Sequence, residues 1–230
     1  DTASPPGGEI GRGPDGVPTG VLHETAMGLV TSHIPAPTNA QFTAMITAAL
    51  QHQRSLGITS TSDAGVAPVL LDVYRGMDAA RALPIHVNVM ALRQVDGVGV
   101  AELPARTATE RLRIDTVKFL TDGGLSGGTA ALSVPYRHLA TRGLLRFTDA
   151  DLLALAREAH AAGLRIAMHA IGDAAIEQVL RTYESLGTGP MRHRIEHLGL
   201  PSDSQLSRAA ALGVIAAPQT VFLHALGRNF

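Results

Sequence analysis

The sequence predicts an α/β fold: an incomplete TIM-like (β/α)8 barrel of about six β–α units, preceded by an N-terminal hairpin. From residue 37 onward, strand-like segments alternate with amphipathic helical segments. The strand segments are nearly continuous in apolar residues, which is typical of a parallel sheet covered by helices. Six strands lie between Gly57 and Phe230, whereas a complete barrel has about eight units in about 250 residues. The six therefore correspond to strands two to seven, with one unit absent at each end.

An open, doubly wound sheet is the alternative to a barrel. No Gly-x-Gly-x-x-Gly motif follows any strand of the predicted sheet, which weakens a dinucleotide-binding version of that fold. The glycine-rich stretch 123–128 follows a strand, but a long irregular segment separates it from the next helix. A phosphate cradle needs a helix N-terminus directly after the loop. The barrel is therefore favoured.

The first 36 residues form a separate region rich in turn-forming residues. Pro14, Asp15 and Gly16 lie between two short extended pieces, a pattern that predicts a hairpin with these residues at its tip. The region is too poor in apolar residues to form its own core. We therefore divide the chain into a hairpin excursion over the barrel mouth, residues 1–36, and a partial barrel domain, residues 37–230.

Five helices are predicted after the hairpin, and most have recognisable ends. Glycines in the position of a left-handed cap follow three of them, at Gly57, Gly163 and Gly187. Thr148 and Ser202 are predicted N-caps, the second as part of a capping box. The helical segments are 37–56, Ala67–Leu83, Thr148–Ala162, Asp173–Leu186 and Ser202–Leu212.

Six strands are predicted between and after these helices. The third is followed by an irregular segment, 122–147, before the next helix begins. The strand segments are Ile58–Ala64, Ile85–Leu92, Ile114–Thr121, Leu164–Ala170, Arg192–Leu198 and Val214–Leu223. An open sheet of this kind has two unpaired edges, so we expect the isolated chain to self-associate.

Composition excludes several classes of function. The chain has 19 Lys and Arg against 20 Asp and Glu, a net charge of −1, and without a basic surplus we expect neither a nucleic-acid nor a membrane partner. It has no cysteine, which excludes disulfides, thiolate nucleophiles and zinc fingers. No apolar run approaches the roughly 18–20 residues of a membrane span. The chain opens without an initiator Met or a signal peptide, as though a segment precedes it, and we expect a cytoplasmic protein.

Three polar side chains fall where predicted strands end: Lys118, His169 and His197. The strand period of two places Lys118 opposite its apolar neighbours, and His169 opposite Met168. If the apolar face packs on helices, Lys118 and His169 point into the barrel at its carboxyl-end mouth, where barrel enzymes carry out catalysis. The same period would turn Arg194 and Glu196 toward the helices if His197 faced the barrel interior.

Each of these residues also has a purely structural interpretation. A lone histidine in a buried strand is more often a hydrogen-bonded core residue than a ligand. A buried lysine is harder to explain as a structural residue, because burying an unpaired ammonium is costly. Such a lysine must be paired with an anion, neutralised or modified. His193 is expected in the core, and His52 and His160 are expected in solvent. The remaining histidines give no geometric indication: His23, His33, His86 and His138.

Two alternatives to a metal site stay open at this point. Lys118 could be the amine nucleophile of a Schiff-base, aldolase-type barrel. Alternatively, His169 and His197 could be packing residues of a non-catalytic barrel.

Several motifs, in the right order along nearly the whole chain, resemble amidohydrolase family 3, the metal-dependent hydrolases that include N-substituted formamide deformylase-like enzymes. The most specific are Met168-His169-Ala170-Ile171-Gly172-Asp173 and Arg192-His193-Arg194-Ile195-Glu196-His197. The others are residues 6–10 and 18–22, Gly57-Ile58-Thr59-Ser60, and Val117-Lys118-Phe119 with Asp122-Gly123.

The resemblance implies a role for each candidate. Lys118 would be the fourth-strand lysine, often carboxylated and bridging two metals, while His169 and His197 would be imidazole ligands of one or two divalent ions, with zinc favoured. Metal-activated water would then attack an amide, imide or ester carbonyl of a small substrate. The reaction that the resemblance favours is hydrolysis of a carbon–nitrogen bond other than a peptide bond. Tyr136 and Arg137 would contact that substrate, and so would His224.

Two family features are missing from the sequence. It contains no His-x-His pair for the first strand, since His23 and His33 are ten residues apart, and no last-strand Asp to serve as ligand and general base. We therefore expect a hydrolase whose 230-residue stretch is by itself inactive and does not retain metal.

Overall fold

The computed structural model describes residues 2–5, 8–94, 102–137, 139–187 and 189–226. The chain divides into two compact units, Asp1–Phe42 and Thr43–Phe230. No helix within these described ranges is both long enough and apolar enough to cross a membrane. Of the histidines that gave no indication, His138 lies outside the described residues.

The first unit contains the predicted hairpin. Strands β1 (Gly8–Arg12) and β2 (Pro18–Glu24) pair antiparallel. The turn between them is closed by backbone hydrogen bonds between Gly13 and Val17 and between Gly16 and Gly13. Gly16 has a φ of +78°, a conformation that favours glycine. A 3-10 turn, Thr25–Met27, and the short helix α1 (Gly28–Thr31) follow.

The second unit is a curled, incomplete barrel, as predicted. Helix α2 (Asn39–Ser55) leads into six parallel strands in the order β3-β4-β6-β7-β8-β9, and β5 adds an antiparallel strand beside β6. The strands are β3 (Ser60–Val66), β4 (His86–Leu92), β5 (Thr107–Ala108), β6 (Leu112–Leu120), β7 (Arg165–Ala170), β8 (Arg194–His197) and β9 (Ile215–Ala217). The helices are α3 (Pro68–Ala79), α4 (Asp149–Ala161), α5 (Asp173–Leu186), α6 (Asp203–Ala211) and α7 (Val221–Leu226).

Several predicted helix ends are confirmed. The Thr148 side chain accepts a hydrogen bond from the Asp151 amide, and Ser202 and Gln205 form a reciprocal capping box. Gly163 and Gly187 end their helices with positive φ angles. These local contacts satisfy amides that a helix start would otherwise leave unpaired.

Two predicted element ends are wrong by several residues. Helix α3 ends at Ala79 rather than Leu83, and Arg81 just beyond it has a φ of +53° that no helix can include. The last strand stops at Ala217 instead of Leu223, because Pro218 has no N–H to donate to a ladder. The rest of the predicted strand is loop and α7. The two-residue strand β5 was not predicted.

The core lies between the outer face of the sheet and helices α4 and α5. Val117 and Phe119 of β6 are buried in it with Met168 of β7 and Ile195 of β8. Phe119 meets Phe147 edge to face, at 6.1 Å between ring centroids. The apolar face of β6 to β8 therefore packs on helices, and its opposite face is the inner face of the curled sheet.

His193 is a core residue, as predicted, whereas His160 is only partly exposed instead of fully solvated. The His193 ring is fully buried and lies 5.2 Å from the Tyr183 ring. Its Nδ1 accepts a hydrogen bond from the Ile166 amide, and its Nε2 lies 3.0 Å from Nδ1 of His160. Because Nδ1 is an acceptor, Nε2 carries the hydrogen and donates to His160. The helix period alone could not show that His160 faces a buried partner.

We expect acid to destabilise the chain through His193. Burial, then His160 and Arg165, lowers its pKa from 6.5 to about 4, so the folded state stays neutral where the unfolded state gains a proton. The neutral His193 contributes fully to stability above pH 6.5. As the pH falls from 6.5 toward 4, the free energy of unfolding should decrease by up to about 3 kcal/mol. Urea unfolding across this range should show a smaller loss for His193→Gln than for wild type. His52→Gln, at an exposed position, is the control, and parallel curves for wild type and His193→Gln would contradict a neutral buried imidazole.

Candidate active site

Lys118, His169 and His197 lie near the carboxyl ends of three adjacent strands. In the ladders, Lys118 is opposite Ala167, and Leu120 is opposite His169. His197 is opposite Ala170 on the next strand. The parallel sheet thus brings residues separated by 28 to 79 positions of sequence to one rim.

The two candidate imidazoles are in contact. The ring centroids of His169 and His197 are 4.4 Å apart, with the planes inclined by 71°. The His197 ring also lies nearly parallel to the Phe222 ring of α7, at 6.1 Å. Burial and the neighbouring His169 lower the pKa of His197. The His197 ring therefore favours its neutral form, and it lies between the His169 ring and an apolar side chain.

Hydrogen bonds leave one nitrogen of each ring available. His169 Nε2 lies 3.0 Å from the Gly123 carbonyl oxygen, which can only accept, so this nitrogen carries the hydrogen. His197 Nδ1 contacts the Gln219 side-chain oxygen. Among the described residues, His169 Nδ1 and His197 Nε2 have no hydrogen-bond partner. An imidazole whose second nitrogen donates to an oxygen is the usual arrangement of a metal ligand.

Lys118 is the only lysine in the sequence, beside 18 arginines that make up the rest of the 19 basic residues. It is 3% exposed. Burial lowers its pKa to about 8, with Glu196 opposing the shift and Arg194 adding to it. No residue that the structure describes forms a hydrogen bond or ion pair with its Nζ. The amine is thus poised to lose its charge or to be modified.

The prediction that Arg194 and Glu196 face the helices is wrong. Ile195 is the β8 residue in the core, and Arg194 is opposite Ala167, in the same row as Lys118. Arg194 forms a bidentate ion pair with Glu196, at 2.6 and 3.2 Å. The reason is backbone conformation: His197 has a φ of +73°, which breaks the period of two. Its ring therefore contacts His169 although residues 194–196 alternate regularly.

The predicted substrate contacts occupy different settings. The Tyr136 hydroxyl donates to the Ala130 carbonyl at 2.9 Å, within the 122–147 segment. Arg137 is exposed on that segment, and His224 is exposed on α7 rather than at a strand end. Their roles stay predictions.

Sequence reasoning missed three residues of the site: Asp122, Gln219 and Phe222. Asp122 Oδ1 lies 3.2 Å from His169 Nε2. Its position directly after a buried strand and its place in the Asp122-Gly123 motif were the available indications, and neither gave it a role. Gln219 and Phe222 fall in the second half of the last predicted strand, which the structure forms as loop and α7 instead, so the direction of their side chains could not be inferred.

The described residues supply only part of a metal's coordination. Within them, no group of three or more His, Cys, Asp or Glu side chains is arranged to hold an ion. Two imidazoles fit zinc in type, and Lys118 would add a ligand only if it were carboxylated, whereas catalytic zinc takes about three protein ligands and a water. A cavity of about 650 Å³ near Arg54, Asp78 and Arg111 lies at the amino ends of the strands, away from these residues.

The chain is similar to known proteins along nearly its whole length. The family model described as "Amidohydrolase family" matches residues 1–229. The putative amidohydrolase YtcJ of Bacillus subtilis (strain 168) is 28% identical over 230 residues, covering 97% of this chain and 43% of the relative. The N-substituted formamide deformylase of Arthrobacter pascens is 26% identical over 245 residues, covering 96% of this chain and 44% of the relative. The chain thus spans less than half the length of these curated relatives.

A solved structure resembles the chain in three dimensions as well. An uncharacterized metal-dependent hydrolase from Pyrococcus horikoshii OT3 superposes with a TM-score of 0.77 at 30% sequence identity. The match covers 93% of this chain and 44% of that protein.

Proposed function

We propose a function for this chain from the fact that it belongs to the amidohydrolase family. The protein that contains it is a metal-dependent hydrolase of carbon–nitrogen bonds other than peptide bonds. The observation that carries the proposal is the pair of imidazoles whose ring centroids lie 4.4 Å apart, each with one nitrogen that has no hydrogen-bond partner among the described residues. The buried lysine on the neighbouring strand supports it.

Each residue has a stated part in this proposal. His169 through Nδ1 and His197 through Nε2 would hold one or two divalent ions, with zinc favoured because neutral imidazoles suit it. Lys118, carboxylated, would add an oxygen ligand and remove the cost of a buried ammonium. The bound ion would supply an activated water and polarise the substrate carbonyl.

The remaining side chains shape and order the site. Gln219 fixes the hydrogen on His197 Nδ1, and Phe222 lies parallel to the His197 ring. The Arg194–Glu196 pair balances its own charges on the lysine side of the strand. Tyr136 and Arg137 on the 122–147 segment, with His224, are proposed to contact a small amide or ester substrate.

We also propose that the 230 residues alone do not turn over substrate. They contain no His-x-His pair, and without a carboxylated Lys118 they offer only two imidazole ligands, fewer than the three protein ligands of a catalytic zinc. Activity is therefore to be sought in the longest protein that contains this chain.

The test is metal content together with hydrolysis by the intact protein. We expect the purified protein to contain a divalent metal and to hydrolyse a panel of N-formyl and N-acyl amines. Chelation should abolish hydrolysis, and added zinc should restore it. A protein that contains no metal, or whose hydrolysis survives complete chelation, would exclude the proposal.

A Schiff-base enzyme is the second candidate, because Lys118 is buried with its pKa lowered to about 8. An amine that is partly neutral near physiological pH can attack a carbonyl substrate. Borohydride reduction with a ketone or aldehyde substrate would then add mass to Lys118. Because the sequence contains no second lysine, mass spectrometry of the peptide that contains Lys118 shows whether a Schiff base formed. A carboxylated Lys118 excludes this candidate.

A further inference from the structure

Asp122 is a buried carboxylate that the proposed chemistry does not use. It follows β6 directly, and its side chain is 0% exposed. Three backbone amides from two distant segments donate to it. They are Ala131 to Oδ2 at 3.0 Å, Ile171 to Oδ1 at 3.1 Å and Gly172 to Oδ2 at 2.9 Å. The fourth neighbour is His169 Nε2, 3.2 Å from Oδ1.

All four neighbours of this carboxylate are donors. The amides can only donate, and His169 Nε2 carries a hydrogen because the Gly123 carbonyl also faces it at 3.0 Å. An ionised carboxylate is an acceptor-only group and satisfies such a setting completely. An asparagine would place its NH2 group against two donors. The setting therefore requires an aspartate.

The same carboxylate joins three segments of the chain. It belongs to the end of β6, and it binds Ala131 in the 122–147 segment and the 171–172 turn that follows β7. His169, two residues before that turn, is the fourth partner. One side chain thus contributes both to the position of the segment and to the orientation of the His169 ring.

We propose that Asp122 is a positioning residue, whose carboxylate holds His169 with its Nε2–H toward Oδ1, leaves Nδ1 as the lone-pair nitrogen, and seats the 122–147 segment against the end of β7. The consequence for metal binding rests on the proposed function, whereas the ring orientation does not. A partner of this kind fixes the tautomer of a ligand imidazole and strengthens it as a ligand.

The first test needs neither metal nor substrate. In the metal-free intact protein with ¹⁵N-labelled histidine, long-range ¹H–¹⁵N spectra identify which ring nitrogen carries the hydrogen, and His169→Gln assigns the signal. We expect the Nε2–H tautomer for His169. An Nδ1–H tautomer would overturn the proposal, even for a protein that proves to be a metal hydrolase.

The second test compares Asp122→Asn with Asp63→Asn. Asp63 lies on β3 and accepts a hydrogen bond from the Tyr74 hydroxyl at 2.7 Å, remote from the histidines. Calorimetric titration of the intact metal-free protein with zinc should show about 10–100-fold weaker binding for Asp122→Asn, and the Asp63 variant should bind as wild type does. Limited proteolysis should cut the 122–147 segment faster only in the Asp122 variant. Wild-type affinity and cleavage in a folded Asp122→Asn protein would overturn the proposal.

The two tests separate the two proposals. If Asp122→Asn does not fold, the tautomer of the wild type still decides the orientation of His169. If the wild-type protein binds no zinc, the proposed function fails, while the tautomer and proteolysis results still decide the role of Asp122.

Discussion

Replacing Lys118 with methionine should abolish hydrolysis by the intact protein while leaving its fold at least as stable as that of wild type. Methionine has a similar length and fills the same buried space, but it cannot be carboxylated and offers no oxygen ligand. Loss of an outer hydrogen-bond partner of a ligand typically lowers activity by about 10–100-fold. Loss of a ligand should lower kcat/KM by more than about 100-fold.

The stability should change in the opposite direction. Lys118 is 3% exposed and has no ion-pair partner in the described part of the chain, so its ammonium is desolvated without full compensation. Replacing buried ionic groups with well-packed apolar side chains is often stabilising, by about 1–4 kcal/mol. Urea unfolding of the metal-free proteins should therefore show an equal or greater free energy of unfolding for Lys118→Met.

Arg113→Met is the matched control for this substitution. Arg113 lies near the start of the same strand, and its side chain is 58% exposed and close to Asp115. We expect the control to keep its activity and its stability. A Lys118→Met protein that retains wild-type kcat/KM would remove the lysine from the site, whatever its stability.

The barrel elements could be predicted because their determinants are local. Helix α5 begins and ends where the sequence indicates, at Asp173 and Leu186, since Gly187 takes a positive φ directly after it. The capping box at Ser202 is likewise a contact between residues three positions apart. The length of the last strand was overestimated because a run of apolar residues continues past Pro218 into α7.

The site was only partly predictable, since its orientation depends on tertiary structure. The period of two gave the correct face for Lys118 and His169, on regular strands. It failed for Arg194 and Glu196 because it assumed a regular backbone at His197, where φ is +73°. The pattern of apolar residues does not indicate that a residue other than glycine has a left-handed backbone conformation.

Contacts between distant segments were the least predictable feature. Asp122 meets amides 9, 49 and 50 positions away, and His160 meets His193 across 33 positions. In both cases, the sequence around one of the two partners gives no sign that its side chain has a buried partner. The chemistry of this rim is therefore set by which loop the fold places beside each strand end, as well as by the strand residues themselves.

Gly172→Ala should be the most damaging small substitution near this rim, because it separates the 122–147 segment from β7. A Cβ atom at Gly172 would lie 1.8 Å from the Ala131 carbonyl oxygen and 2.4 Å from its carbon. Both are backbone atoms that no rotamer change can move. Overpacking of a tight contact typically costs about 1–3 kcal/mol, and here the Ala131 and Gly172 amides would also lose Asp122 as acceptor.

Gly76→Ala makes the same chemical change where space is open. Gly76 lies inside α3, and a Cβ atom added there would meet no atom of another part of the chain within 4 Å. Alanine should stabilise that helix by about 0.5–1 kcal/mol. Urea unfolding should thus move in opposite directions for the two variants, and limited proteolysis should cut the 122–147 segment faster only in Gly172→Ala. Because one glycine touches the segment and the other does not, equal shifts in both proteins would show that the segment does not pack on the end of β7.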